Sequence, residues 1–251
     1  MQRWKFLLMY EGTDFKGWQK QPDERTVQGE LEHALETLYQ QSVVTMGQGR
    51  TDAGVHAEGQ VAHADLPEKF DAKRILHAMK GLLPSDMAMV EAEVISADFH
   101  ARFDALSRQY RYQITCGKNP LLRRMAWNVE SGIDFSLLEK CASDILGKHD
   151  FINFCIPPDE PEMTTLSEIF RSEWNRKNGL LIYRIEGNRF LRHLVRRLVG
   201  TMVHVGIGKI SYERFCEMLN GEESDVKGHT APAKGLILET VQFKDDELNY
   251  G

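Results

Sequence analysis

Trp4, Phe6, Leu8 and Tyr10 occupy every second position near the start of the chain, which predicts a strand with one buried face. A polar loop, GTDFKGWQKQPDER, follows, and the period then changes. Val27, Leu31, Ala34, Leu35 and Leu38 recur at helical spacing behind Thr26, whose hydroxyl suits an N-cap. Residues 42–48 and 60–65 read as strands. Asp71 caps a second helix that turns Ile75, Leu76 and Met79 inward, and residues 87–95 form another strand.

The later part repeats that order. Tyr110, Tyr112, Ile114 and Cys116 share one strand face. A helix over residues 135–146 buries Leu138, Cys141, Ala142 and Ile145. Strands at 167–175 and 180–186 are joined by Arg-Lys-Asn-Gly, a hairpin turn. A long helix is expected over 189–205. Ser211 caps a short helix that Gly221 ends, and residues 236–243 close the chain as a strand.

Strand, helix, strand, strand, helix, strand, twice over, predicts an α+β protein of two ferredoxin-like βαββαβ units. The expectation is an extended antiparallel sheet from two units side by side, with helices on one face and a central cleft. The expected domains are residues 1–105 and 106–251.

The chain has 251 residues, 42% hydrophobic and 27% charged, as in an ordinary soluble globular protein. Its start, MQRWKFLLMYEGTD, reads as neither a signal peptide nor a membrane span. Four cysteines, Cys116, Cys141, Cys155 and Cys216, form no CxxC pair and have no histidine at zinc-finger spacing, so reduced thiols in a cytoplasmic protein are expected. The net charge of −6 argues against a nucleic-acid partner until the distribution is read. Residues 102–124 hold six Lys/Arg against one acid, Asp104, and residues 188–197 hold four Arg and no acid, while Asp245, Asp246 and Glu247 cluster elsewhere. A basic groove on an acidic body fits RNA.

The candidate chemistry lies in GQGRTDAGVHAEGQ, residues 47–60, where glycines surround Asp52 and Arg50 stands two residues before it. Glycine lets backbone approach a ligand, and a carboxylate beside an arginine stays ionised, as a nucleophile or base requires. The plain alternative is a surface turn with an ion pair. Arg189, Arg192 and Arg196 fall on one helical stripe opposite Phe190, Leu194 and Leu198, so the helix can present arginines to phosphates while packing its other side. Trp18 and Gln19 either touch RNA or pack the first loop. His56 and His63 have no Cys or carboxylate placed with them, so no metal site is expected.

GRTDAGVHA closely resembles the catalytic motif of the TruA family of tRNA pseudouridine synthases. YEGTDFKGWQKQP, FHARFDALSRQYRY, HDFINFC, GNRFLRHLVRRLVGTMVHVGIGK and TAPAKGLILE resemble its other motifs in order and spacing, so the likeness covers nearly the whole chain. The resemblance implies isomerisation of uridine in the tRNA anticodon stem-loop, at about positions 38–40 of the tRNA, a base that must leave its stack to be reached. It implies a homodimer with no metal or organic cofactor. It places the nucleophilic aspartate on Asp52, the active-site tyrosine on Tyr110, motif arginines on Arg50 and Arg196, and an apolar residue on Leu236. Arg189 departs from the pattern, since relatives often carry a small residue there. The rival readings are a non-catalytic RNA-binding protein on the same sheets, which has no need of Asp52, and a glycosidase, which needs a second flanking acid.

Overall fold

The computed structural model describes residues 1–130, 132–157, 164–177, 179–221 and 227–244. Asp245, Asp246, Glu247 and Asn178 of the expected hairpin turn lie outside the described residues. The protein is α+β and divides into two units, residues 1–106 with 237–251, and residues 107–236.

The first unit contains β1 (Gln2–Tyr10), α1 (Val27–Tyr39), β2 (Met46–Gly47), β3 (His56–Leu66), α2 (Ala72–Leu82) and β4 (Met87–Ile95). β1 is central, antiparallel to β3 on one edge and β4 on the other. Trp4, Phe6, Leu8 and Tyr10 are all buried, as are Val27, Leu31, Ala34 and Leu35 of α1 and Ile75 and Met79 of α2. Thr26 and Asp71 cap the two helices. The closing strand, expected in the second domain, is grouped with this unit. It is β10 (Leu236–Phe243), and it pairs Ile237 and Leu238 in parallel with His56 and Ala57 of β3.

The strand expected over 42–48 shrinks to two residues because α1 intercepts its backbone. Glu32 accepts the Thr45 N–H (2.9 Å), Gln28 donates to the Thr45 carbonyl (2.9 Å), and Glu36 accepts the Val43 N–H (3.3 Å). Groups satisfied by side chains have no need of a ladder.

The second unit contains most of β5 (Ala105–Cys116), then β6 (Trp127–Val129), α3 (Phe135–Asp144), β7 (Gly147–Asp150), β8 (Leu166–Lys177), β9 (Leu180–Gly187), α4 (Leu194–Gly206) and α5 (Tyr212–Leu219). β9 lies antiparallel between β5 and β8, and β7 pairs β8. Tyr112, Tyr183, Phe151, Phe154 and Phe215 are fully buried.

The long helix expected over 189–205 begins at Leu194. His193 takes the left-handed conformation (φ +66°), and the residues before it spend backbone bonds elsewhere. Asn188 N–H donates to Glu168 C=O (3.0 Å), and Ile156 N–H donates to Arg192 C=O (3.0 Å). Arg189 and Arg192 are therefore not on the helix, and the three-arginine helical stripe does not exist.

Candidate active site

Asp52 sits half-buried in the turn between β2 and β3. The loop after β1 locks this turn through its backbone. Trp18 N–H donates to Thr51 C=O (3.1 Å), Gly54 N–H to Phe15 C=O (3.3 Å), and Val55 N–H closes the turn onto Asp52 C=O (3.1 Å). Two glycines permit the approach. A Cβ on Gly12 would stand 1.9 Å from the Val55 carbonyl oxygen, and one on Gly17, at φ +95°, 2.8 Å from that of Thr51. Side chains add a Tyr10–Thr51 hydroxyl bond (2.7 Å) and a bond from Gly12 N–H to His56 Nδ1 (3.0 Å). Thr51 before Asp52 and Gly54 after it are thus held by backbone.

Arg50 is exposed and makes no ion pair with Asp52 among the described residues. Trp18 is 2% exposed, and a Cβ on Gly47 would meet its indole at 2.5 Å. Trp18 therefore packs the loop, the second of its two readings. Gln19 is half-buried beside it.

In the second unit, Tyr110 lies on β5 opposite Ile185, 9% exposed, with its ring edge-to-face on Phe190 at 5.4 Å. Arg196, half-buried on the first turn of α4, donates from Nε to Ala231 C=O (2.9 Å), while Ala231 N–H donates back to Arg196 C=O (3.0 Å). Gly200 makes that contact possible, since a Cβ there would lie 2.1 Å from the His229 carbonyl oxygen. The strap from His229 to Gly235 is fastened at its other end by Tyr112, whose hydroxyl donates to Pro232 C=O (2.7 Å) and whose ring fits against Gly235. Burial pushes the Tyr112 phenol far up its range, against the pull of Arg196, so it stays a donor. The strap delivers Leu236, buried, to the start of β10. Arg189 is half-buried and donates to Thr164 C=O (3.4 Å), and Arg192 is exposed.

A family model described as tRNA pseudouridine synthase matches residues 7–104 and 141–244. The chain belongs to the tRNA pseudouridine synthase family. Proteins named tRNA pseudouridine synthase A are similar over nearly their whole length. That of Halalkalibacterium halodurans is 39% identical, covering 94% of this chain and 91% of its own. The Bacillus subtilis protein is 38% identical over 96% and 99%, and the Dictyoglomus thermophilum protein 40% over 97% and 100%. The family is one of isomerases.

The family-model match includes Asp52 and Arg196 and leaves out Tyr110. Within the synthase, Arg196 bonds the strap that leads to Leu236, while Arg189 and Arg192 lie before α4 and bond to Thr164 and Ile156. His56 Nδ1 is committed to Gly12 N–H, and His63 Nδ1 to Ala101 N–H (3.2 Å). Among the described residues no group of three or more His, Cys, Asp or Glu is placed to hold a metal, and no helix is long and apolar enough to cross a membrane. Sequence reading missed Tyr112 as the fastener of the strap. The tyrosine spacing in SRQYRY was visible, but only the fold shows which of the two rings meets Gly235.

Proposed function

We propose that the enzyme converts uridine to pseudouridine in the tRNA anticodon stem-loop, at about positions 38–40, with Asp52 as nucleophile. The observation that carries this reading is the Asp52 turn, a half-buried carboxylate between backbone anchors, in a chain of this family. The reaction breaks the bond from uracil N1 to ribose C1′, turns the ring, and joins C5 to C1′. C5 loses a proton and N1 gains one, so atoms and electrons balance without a net oxidant. A carboxylate serves this by attacking either the sugar or the base.

Tyr110 offers the displaced uracil an edge and a hydroxyl, since so little of its ring face is open. We read Arg196 and Leu236 as substrate-binding residues, and Arg50, Arg189 and Arg192 as meeting phosphates, with Gln19 near the RNA. We read the working form as a cytoplasmic homodimer using no metal or organic cofactor.

The test is tritium release from tRNA labelled at uracil C5, since isomerisation replaces that hydrogen. Release is expected from intact tRNA and is expected to vanish when the anticodon-arm uridines are replaced by cytidine. Undiminished release from the replaced tRNA would move the target elsewhere. No release from any tRNA would remove the catalytic reading.

A further inference from the structure

Arg196 and Arg197 are neighbours on the first turn of α4, yet they serve different segments. Arg196 holds the strap at Ala231, and Arg197 donates from Nη1 to the Cys155 carbonyl. Arg197 is half-buried, its Nε is sealed from solvent with no hydrogen-bond partner, and no carboxylate pairs with it among the described residues.

Two other cations face the same segment. Lys227 donates to Asn153 Oδ1 (3.3 Å), and Arg189 reaches Thr164 C=O. Arg197, Lys227 and Arg189 all act electrostatically on the Cys155 thiol. Gly228 closes the gap, its N–H donating to Asn153 C=O (3.0 Å), and a Cβ there would sit 3.3 Å from Arg197 Cβ. The acid that also acts on this thiol is Asp150, whose Oδ1 already accepts from Ile152 N–H and the Thr165 hydroxyl.

Each of the three cations is therefore held by a neutral oxygen. Gathering like charges, two of them half-buried, costs free energy that an anion would remove. The guanidinium N–H groups of Arg197 not bonded to Cys155 or sealed inside can donate, with the Lys227 ammonium, to the oxygens of a phosphodiester.

We propose that Arg197, Lys227 and Arg189 form a site for a backbone phosphate of the tRNA, separate from Arg196 and its strap. This rests on the tRNA reading above.

The test measures tRNA affinity against salt concentration for the full chain and for Lys227→Gln, Arg197→Gln and Arg197→Lys, with a thermal melt of each. Each lost phosphate contact lowers the log–log salt slope by about 0.7–0.9. Lys227→Gln and Arg197→Gln are expected to weaken binding roughly 3- to 10-fold at about 0.1 M salt, and in turnover the loss appears in KM rather than kcat. Arg197→Lys keeps the slope and loses part of the affinity.

Lys227 is exposed, so Lys227→Gln tests the site even where Arg197→Gln melts early. Wild-type slopes in both neutral variants would overturn the proposal. So would an Arg197→Gln protein that melts early with an unchanged slope, since Arg197 would then be only a strut for the Cys155 segment. If the wild type releases tritium while all slopes agree, the phosphate site alone fails. If it binds with the expected slope changes but releases none, the catalytic reading alone fails.

Discussion

The Asp52 turn in the first unit and the approach to α4 in the second are held in opposite ways. The turn is fixed by backbone bonds that Gly12 and Gly17 make possible, so its carboxylate carries no structural duty through those anchors. In the second unit the candidate side chains are themselves the fasteners. Arg196 grips Ala231, Arg197 grips Cys155, and Tyr112 grips Pro232. A substitution in the turn should therefore separate chemistry from stability, whereas one near α4 mixes them.

The sharpest break of that contrast is Asp52→Asn, which keeps the shape and removes the charge. We expect turnover to fall by about 10³-fold or more, with tRNA still bound. Near-normal tritium release in this variant would take Asp52 out of the mechanism.

Gly12→Ala attacks the anchors instead. Its Cβ meets the Val55 carbonyl oxygen, a backbone atom that cannot swing aside. A cost of about 2–3 kcal/mol is expected, with turnover falling as the Asp52 turn shifts. Gly235→Ala is the matching change in the second unit, meeting the buried Tyr112 ring at 2.5 Å. Denaturant melts and turnover of both decide the matter. A Gly12→Ala protein of wild-type stability and rate would show that the turn does not depend on this approach.

These two regions also differ in how far they could be read in advance. β1, α1, α2 and β4 announce themselves by period and cap, and the Asp52 turn by its glycines. The strand expected over 42–48 is longer than β2 because Gln28 and Glu32 on α1 take the bonds of Thr45, interactions across 17 and 13 residues that periodicity does not carry. Periodicity predicts an earlier start for α4 because Phe190 and Leu194 fit a helical stripe. What ends that stripe is the left-handed His193 and the bond from Ile156 to Arg192, both set by tertiary context. β10 falls by sequence within the second expected domain, while its pairing with β3 spans most of the chain.

Arg196→Ala and Arg192→Ala both remove one positive charge within four residues, from different settings. Arg196→Ala leaves the Ala231 carbonyl without its side-chain donor, so a loss of about 1–3 kcal/mol is expected together with a large fall in turnover. Arg192 is exposed and contributes its carbonyl, not its side chain, to the Ile156 bond. Its replacement should leave stability unchanged and weaken tRNA binding a few-fold, lowering the salt slope by about one or less. Equal losses of binding and turnover in the two variants would collapse the distinction between a fastener and a surface cation.

The smallest effect concerns acid. His63 is buried in the first unit, and its pKa is lowered to about 4, first by burial and then by His100 and Arg3. Its Nδ1 accepts the Ala101 N–H, which a doubly protonated ring could not do. The unfolded chain binds this proton at about pH 6.5, the fold only at about pH 4. The stability from His63 is therefore complete above pH 6.5 and is lost as pH falls towards 4. In the second unit His204 and His229, stacked at 4.0 Å, are lowered by burial as well and act in the same direction. His63→Gln offers an oxygen to the Ala101 N–H and does not titrate. Its denaturation free energy should decline less steeply than wild type between pH 6.5 and 5, with the residual slope belonging to the histidine stack. An unchanged slope in His63→Gln would place the acid sensitivity wholly in the second unit.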